Sequence, residues 1–108
     1  MTKHRSEIRA SVVIPVFNRG DLLRVVLDGL AKQTLCPDSF EVLVCDDGST
    51  EPLHAVVEEF ADRLPYLRHL RQENQGPAAA RNLGVANAKS EVVVFLDSDV
   101  SPDREFLA

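Results

Sequence analysis

The chain has 108 residues, with 12 basic and 17 acidic side chains and a formal net charge of −5 at pH 7. Its hydrophobic fraction of 44% and charged fraction of 27% are close to globular averages, which argues against collagen-like repeats, a coiled coil or disorder. No apolar run reaches the roughly 18 residues that a membrane span needs, and the first residues contain no secretory apolar segment. We therefore expect one cytoplasmic domain with no membrane segment.

Four runs have the composition of β-strands. Three of them are rich in β-branched residues and almost continuously apolar, which is typical of strands buried on both faces of a parallel sheet. The predicted strands cover residues 11–17, 40–45, 67–70 and 92–96.

Helical patterns lie between these strands. The first two helices are predicted from apolar stripes at helical spacing, and the third from its Gly76-Pro77 start and its small residues. The stripes consist of Leu22, Leu23, Val26, Leu27 and Leu30, and of Leu53, Val56, Val57, Phe60, Ala61 and Leu64. A fourth helix is predicted to begin near Ser101. The alternation predicts an α/β layered domain with right-handed crossovers, preceded by a polar tail at residues 1–9.

Cys36 and Cys45 lie outside any C-x-x-C spacing, and Cys45 falls within an apolar run. Small buried thiols are common in such runs. We expect neither a disulfide nor a cysteine metal site. The acidic balance and the absence of a basic stripe also argue against a nucleic-acid partner.

Ligands of open α/β sheets bind outside the carboxyl ends of the strands, and two of these ends carry acidic pairs. Asp46 and Asp47 follow the second strand, and Asp97 and Asp99 follow the fourth. Ordinary turn chemistry explains one such loop. Two acidic pairs at one edge repel each other unless a cation or hydrogen-bond donors offset their charge.

The spacing of Asp97 and Asp99 places both carboxylates on one side of an extended strand. Two carboxylates completed by water and phosphate oxygens suit Mg²⁺ or Mn²⁺. Because the same spacing also occurs in surface loops, a metal site and a solvated loop both remain open at this point.

Arg81 lies one turn into the third helix and, taken alone, is typical of a solvated helical arginine. The Gly76-Pro77 helix start is predicted to lie at the same sheet edge, where backbone N–H groups favour anionic or polar ligand atoms. Arg81 is therefore a candidate ligand contact. We assign no catalytic role to His4, His54 or His69.

Four segments, SVVIPVFNRGDLL, VLVCDDGSTE, ENQGPAAARNLGVANAKSE and VVVFLDSDV, together resemble the nucleotide-binding half of the family 2 glycosyltransferases. These are inverting enzymes of the GT-A fold that use nucleotide-diphosphate sugars. The resemblance implies a Rossmann-like, mainly parallel sheet of about four strands in the order 3-2-1-4. It also implies sugar transfer from a donor, UDP-linked by family habit, to an unknown saccharide, lipid or protein acceptor.

The resemblance further implies a set of site residues. Base and ribose contacts would come from the end of the first strand, a hydrogen bond to the base from the acidic pair at 46 and 47, and closure over the base from the third helix. The implied nucleotide-binding residues are Pro15, Val16, Phe17, Asn18, Asp46, Asp47, Gly76, Arg81, Asp97 and Ser98. Asp99, with Asp97, would hold the Mn²⁺ or Mg²⁺ ion that bridges the diphosphate.

The family's general base lies well downstream of D-x-D, and residues 100–108 cannot supply it together with an acceptor pocket. We therefore expect residues 10–108 to be the donor-binding part of a domain truncated at its C-terminal side, inactive alone and part of a protein that acts in the cytoplasm or at the inner membrane face. The fourth strand would then present an apolar edge, which predicts a homodimer.

Three alternatives compete with this interpretation. A non-catalytic nucleotide-binding or interaction module fits the isolated chain. A haloacid-dehalogenase-type phosphatase matches FLDSDVS, although in that family the motif belongs on the first strand. A nicotinamide dehydrogenase is disfavoured because no G-x-G-x-x-G follows the first strand.

Overall fold

The computed structural model describes residues 8–97. The strands are β1 (Ala10–Val16), β2 (Phe40–Asp46), β3 (Leu67–Arg71) and β4 (Val93–Phe95), and the helices are α1 (Gly20–Ala31), α2 (Leu53–Glu59), α3 (Pro77–Asn87) and a short 3₁₀ helix at Pro37–Ser39. All strand pairs are parallel and the sheet order is β3-β2-β1-β4. The predicted fold class and strand order are confirmed. The fourth helix predicted near Ser101 lies outside the described residues.

The sheet has a hydrophobic core on each face. Alternate residues of β1 and β2 pack against α1 and α2, where Ile14, Leu23 and Leu27 are fully buried. The intervening residues, including Val13 and Leu43, form a smaller core with α3. Because both faces are covered, β1 and β2 consist almost entirely of apolar residues, as expected of a parallel sheet.

Helix α3 lies very close to the sheet. A Cβ atom built on Gly84 would lie 2.4 Å from Val13 Cγ1 and 3.0 Å from Cys45 Sγ. Cys45 is buried beneath this helix, and burial raises the pKa of its thiol to about 11. Both Cys36 and Cys45 are free thiols. The close approach sets the height at which the start of α3 stands above the carboxyl edge of the sheet.

A buried polar cluster fixes the opposite end of α3. Glu41 Oε2 accepts hydrogen bonds from Ser11 Oγ at 2.5 Å and from the Lys89 backbone N–H at 2.6 Å. Ser90 N donates to Ser11 Oγ at 3.1 Å. The segment that joins α3 to β4 is therefore bound to the amino ends of β1 and β2.

The end of α2 and the end of the predicted polar tail differ from the sequence predictions. Helix α2 ends at Glu59, before the end of its apolar stripe, and a turn with a 2.9 Å hydrogen bond from Leu64 N to Phe60 O keeps both side chains buried. Pro65 follows, and the residue before a proline is forced out of helical geometry. Ile8, assigned to the polar tail, is buried just before the start of β1.

Strand β4 is shorter and more exposed than its sequence predicts. It spans three residues and pairs with β1, and Val92 and Phe95 remain 56% and 49% exposed. Among residues 8–97 no strand pairs with its outer edge. Within the same residues no helix is long and apolar enough to cross a bilayer.

Replacing Gly84 with alanine is expected to lower the free energy of unfolding by about 1–3 kcal/mol, because the added methyl clashes with Val13. The gain of up to ~1 kcal/mol in helix propensity does not compensate. Urea unfolding of Gly84→Ala, Val13→Ala and the double variant measures the coupling. The double variant should lose less free energy of unfolding than the sum of the losses of the single variants. A Gly84→Ala variant as stable as the wild type would contradict the close approach.

The exposed edge of β4 is expected to cause self-association, because unpaired strand edges bind other strands. Sedimentation equilibrium should show a concentration-dependent dimer that Phe95→Lys weakens. Val25→Lys, at a 51% exposed position on α1, is the matched control and should leave the association unchanged. A monomer at all accessible concentrations would contradict this expectation.

Candidate functional site

A cleft of about 390 Å³ lies at the carboxyl edge of the sheet, between the end of β1 and the start of α3. Its lining residues are Pro15, Val16, Phe17, Leu22, Asp47, Pro77, Ala80, Arg81 and Asp97. Six residues predicted from the sequence therefore meet here, from the end of β1, the loops after β1, β2 and β4, and helix α3. Asn18, Asp46 and Gly76 lie beside the cleft without lining it, and Ser98 and Asp99 lie outside the described residues.

The cleft combines an apolar wall with a few charges. Phe17 is 48% exposed, so its ring is available for contact with a flat ligand group. In the cleft lining, Arg81 Nη2 lies 3.9 Å from Asp97 Oδ1. Both side chains are well exposed, so this ion pair adds little stability and leaves the two groups free to engage a ligand.

The carboxylate of Asp47 anchors the start of α3. Oδ1 accepts hydrogen bonds from Gln72 Nε2 at 2.9 Å and from Gln75 N at 2.8 Å, and Oδ2 accepts one from Gly76 N at 2.9 Å. The bond from Gln72 and that from the Gln75 backbone hold the pKa of Asp47 below its ordinary value. Asp47 is therefore ionised at neutral pH, with acceptor capacity remaining on Oδ2.

The loop after Asp47 requires a glycine. Gly48 has a φ of +77°, and a Cβ atom there would lie 2.8 Å from the backbone nitrogen of Asn74. Asn74 Nδ2 also donates to Asp47 O at 3.1 Å. The loop after β2 and the loop after β3 thus pack directly against each other.

Asp46 lies on the opposite face of the sheet from Asp47, because successive side chains of a strand alternate. Its fully buried carboxylate accepts hydrogen bonds from Ser49 N at 2.9 Å and Arg71 Nη1 at 3.1 Å, and lies 2.9 Å from His69 Nε2. Burial raises the pKa of Asp46, but the bonds from Ser49 and His69 outweigh it and the net shift is downward. The predicted acidic pair is therefore divided between two faces, and only Asp47 lines the cleft.

The loop after β1 is bound to the loop after β2. Asn18 N donates to Ser49 Oγ at 2.6 Å, and Asn18 Oδ1 accepts from Thr50 N at 2.9 Å and Glu51 N at 3.1 Å. In return, the Glu51 carboxylate accepts from Arg19 N and Gly20 N, each at 3.1 Å. These bonds place Phe17 at the mouth of the cleft.

Sequence reasoning missed the partners that hold these groups. His69 and Arg71 alternate with Leu70 along β3, on the face that Asp46 also occupies, so strand alternation combined with the register Asp46↔Arg71 would have identified them. Glu51 has no such local signal, because its partners lie 31 and 32 residues earlier in the chain.

Within residues 8–97 no group of three His, Cys, Asp or Glu side chains is placed to hold a metal ion. Asp97 supplies one exposed carboxylate at the cleft, which is the donor type that Mg²⁺ and Mn²⁺ prefer. A divalent ion here would take its remaining ligands from substrate, solvent or residues outside the described range.

Replacing Asp46 with asparagine is expected to lower the free energy of unfolding by about 2 kcal/mol at pH 7, because buried donors lose an ionised acceptor. The folded-state pKa lies below that of the unfolded chain, so this stabilisation is present above about pH 4 and is lost as the pH falls through the folded pKa. Urea unfolding should show a large difference in the free energy of unfolding between wild type and variant at pH 7, and a smaller difference at pH 3. Asp62→Asn, at an exposed position, is the control, and a gap that does not depend on pH would contradict this assignment.

Two comparisons of sequence bear on the identity of this site. The model for "Glycosyl transferase family 2" matches residues 11–108. Validoxylamine A glucosyltransferase of Streptomyces hygroscopicus subsp. limoneus is 46% identical over 99 residues, which are 90% of this chain and 22% of that relative. Glycosyltransferase AglE of Haloferax volcanii is 35% identical over 98 residues, 90% of this chain and 32% of the relative. The chain thus spans less than a third of the length of these relatives.

Solved structures share the fold. The 1–349 fragment of S. aureus TarS has a TM-score of 0.85 at 35% identity, covering 92% of this chain and 30% of that structure, and a structure of the fragment with UDP matches equally well. The mannosyltransferase PcManGT of Pyrobaculum calidifontis, in complex with GDP-Man and Mn²⁺, has a TM-score of 0.81 at 32% identity over 89% of this chain and 29% of that structure. Because the family model matches almost the whole chain and the GT-A neighbours reproduce its sheet, this chain belongs to glycosyltransferase family 2.

Proposed function

We propose that the cleft binds the nucleoside diphosphate of a sugar donor, with UDP as the nucleotide, and that the protein transfers the sugar to an acceptor with inversion. The observation that carries this proposal is the cleft itself. It brings an aromatic ring, an ionised carboxylate and an arginine from separate elements to the carboxyl edge of a parallel sheet, which is the binding position in such folds.

The chemistry of the cleft supports a flat, polar base as its first occupant. Phe17 offers a half-exposed ring for stacking, and Pro15 and Val16 continue the apolar wall. Asp47 Oδ2 accepts one hydrogen bond from Gly76 and has room for another. The imide N–H of uracil is such a donor, whereas cytosine presents a ring nitrogen that is itself an acceptor. An ionised Asp47 therefore favours UDP over CDP.

The charge of the cleft supports a cation for the diphosphate. Two carboxylates and one arginine line it, so an incoming diphosphate meets a site without excess positive charge. Asp97 is the described residue that fits a divalent ion, and Asp99 is proposed to complete the site. When bound, Mn²⁺ or Mg²⁺ would offset the negative charge that develops on the diphosphate leaving group.

The roles of the remaining predicted residues differ. Arg81, one turn into α3, lines the same cleft as Phe17 and is proposed to close over the nucleotide. Asn18, Asp46 and Gly76 act from behind the cleft, where their hydrogen bonds hold its loops. We assign no general base among the described residues, and the acceptor side of the reaction is proposed to lie elsewhere in the protein.

The relatives support sugar transfer as the reaction. One of them is described as a glucosyltransferase, and the structural neighbours were solved with UDP, UDP-GlcNAc or GDP-Man. The alternative of a nucleotide-binding module without transfer shares the same first step. Donor binding is therefore the property to measure first.

Isothermal titration calorimetry of the chain with UDP is expected to show binding that Mn²⁺ strengthens by about tenfold or more, because the ion offsets the charge between diphosphate and Asp97. Asp97→Asn should remove the effect of Mn²⁺, and Arg81→Ala should weaken UDP binding with or without the metal. CDP should bind at least about tenfold more weakly than UDP, since its ring nitrogen faces an ionised acceptor.

Asp62→Asn, remote from the cleft, is the matched control and should bind UDP as the wild type does. Absence of binding for UDP and GDP would contradict the donor-site proposal as a whole. UDP binding that does not respond to Mn²⁺ would contradict the metal assignment alone. Titration of UDP-glucose and UDP-GlcNAc under the same conditions would then identify the preferred sugar.

A further inference from the structure

The loop after β1 adopts a costly backbone conformation. Asn18 has a φ of 56° and Arg19 a φ of 60°, so two consecutive residues other than glycine lie in the left-handed region. This region costs an L-residue roughly 1–2 kcal/mol, with asparagine among the tolerated exceptions. The side chain of Arg19 forms an exposed ion pair with the neighbouring Asp21, which contributes little. Interactions with residues outside the loop must therefore stabilise this conformation.

The side chains of Asn18 and Glu51 stabilise this conformation by reciprocal hydrogen bonds. We call this pair of residues the latch. Asn18 Oδ1 accepts bonds from the backbone of Thr50 and Glu51 and from Thr50 Oγ1, the last at 3.2 Å. The Glu51 carboxylate accepts the backbone N–H groups of Arg19 and Gly20, which are orphan donors at the start of α1. Each loop thus satisfies the backbone of the other.

The latch adjoins the aromatic wall of the cleft. Phe17 directly precedes the two left-handed residues, and its ring is half exposed and excluded from the cores on either face of the sheet. Packing therefore fixes the ring only weakly. The direction in which the chain leaves β1, and with it the position of the ring, depends on the turn that the latch holds.

We propose that Asn18 and Glu51 are positioning residues that fix Phe17 as the surface on which the nucleobase stacks. This inference rests on the proposed nucleotide site. A stacking surface that is ordered before binding spares the ligand the entropy of ordering it, so the latch should raise affinity without touching the nucleotide.

The position of residue 17 can be measured without any ligand. The chain contains no tryptophan, so Phe17→Trp introduces a single indole at the mouth of the cleft. In this background, Asn18→Gly keeps the left-handed backbone accessible but removes the acceptor, whereas Asn18→Asp keeps both. Glu51→Gln leaves only one carbonyl oxygen for two donors, and Glu58→Gln, at an exposed position on α2, is its matched control.

Removing the hydrogen bonds of the latch is expected to raise acrylamide quenching of the indole and to lower its fluorescence anisotropy. The far-ultraviolet circular dichroism spectrum should remain unchanged. Asn18→Gly and Glu51→Gln should both show this change, and Asn18→Asp and Glu58→Gln should not. A folded Asn18→Gly chain with unchanged quenching and anisotropy would overturn the proposal. If Asn18→Gly does not fold, the quenching and anisotropy of Glu51→Gln test the proposal by the same criterion.

The second readout is UDP binding with Phe17 retained. The latch variants should weaken binding about 3- to 10-fold, the effect of leaving one contact side chain unordered. In a Phe17→Ala background the same variants should have no further effect, which a general loss of structure would not reproduce. Equal losses in both backgrounds would overturn the positioning role. Absence of UDP binding in the unsubstituted chain would contradict the proposed function, while the indole still reports whether the latch holds residue 17.

Discussion

The carboxyl edge of the sheet depends on how two consecutive aspartates are separated. Because β2 is extended as far as Asp46, that side chain enters the α1 and α2 face while Asp47 turns toward the cleft and α3. Each carboxylate then collects three polar partners from the loops and from β3. The repulsion between adjacent negative charges is offset on both faces, and the ends of β2 and β3 and the start of α3 become one hydrogen-bonded unit.

This hydrogen-bonded unit and the latch together fix the positions of the residues that line the cleft. Phe17, Arg81 and Asp97 of its lining are solvent-accessible, whereas Val16, Asp47 and Ala80 are buried. The Arg81–Asp97 pair is too exposed to stabilise the cleft. Their positions depend on backbone that is fixed from behind. Asp47 holds the residues that start α3, and Gly84 lets that helix lie against Val13, so Arg81 stands at a defined height above the sheet. A site built in this way can be ordered before a ligand arrives.

The apolar runs of the sequence predicted the two covered faces of the sheet, and the rule that places ligands at carboxyl strand ends directed attention to Asp47, Arg81 and Asp97. The strand order and the roles of Pro15, Val16 and Phe17 were implied by the resemblance to family 2 glycosyltransferases. The sequence did not resolve the division between Asp46 and Asp47, since that depends on where β2 stops being extended. It overestimated α2, because an apolar stripe continues through a turn that buries Phe60 and Leu64 equally well. The latch could not be predicted from the sequence, because Asn18 and Glu51 belong to separate loops whose packing no local pattern encodes.

Charge also supports the cation that we propose for the donor site. Asp47 lies in the cleft as an ionised carboxylate, but its charge is already shared among three donors that anchor α3. Among residues 8–97 no comparable set of donors contacts Asp97, and Arg81 Nη2 approaches its Oδ1 only to 3.9 Å. A diphosphate placed between these groups would gain one arginine and face one largely uncompensated carboxylate. A divalent ion on Asp97 would turn that repulsion into attraction, so the proposed cation is linked to the way Asp47 is used in the fold.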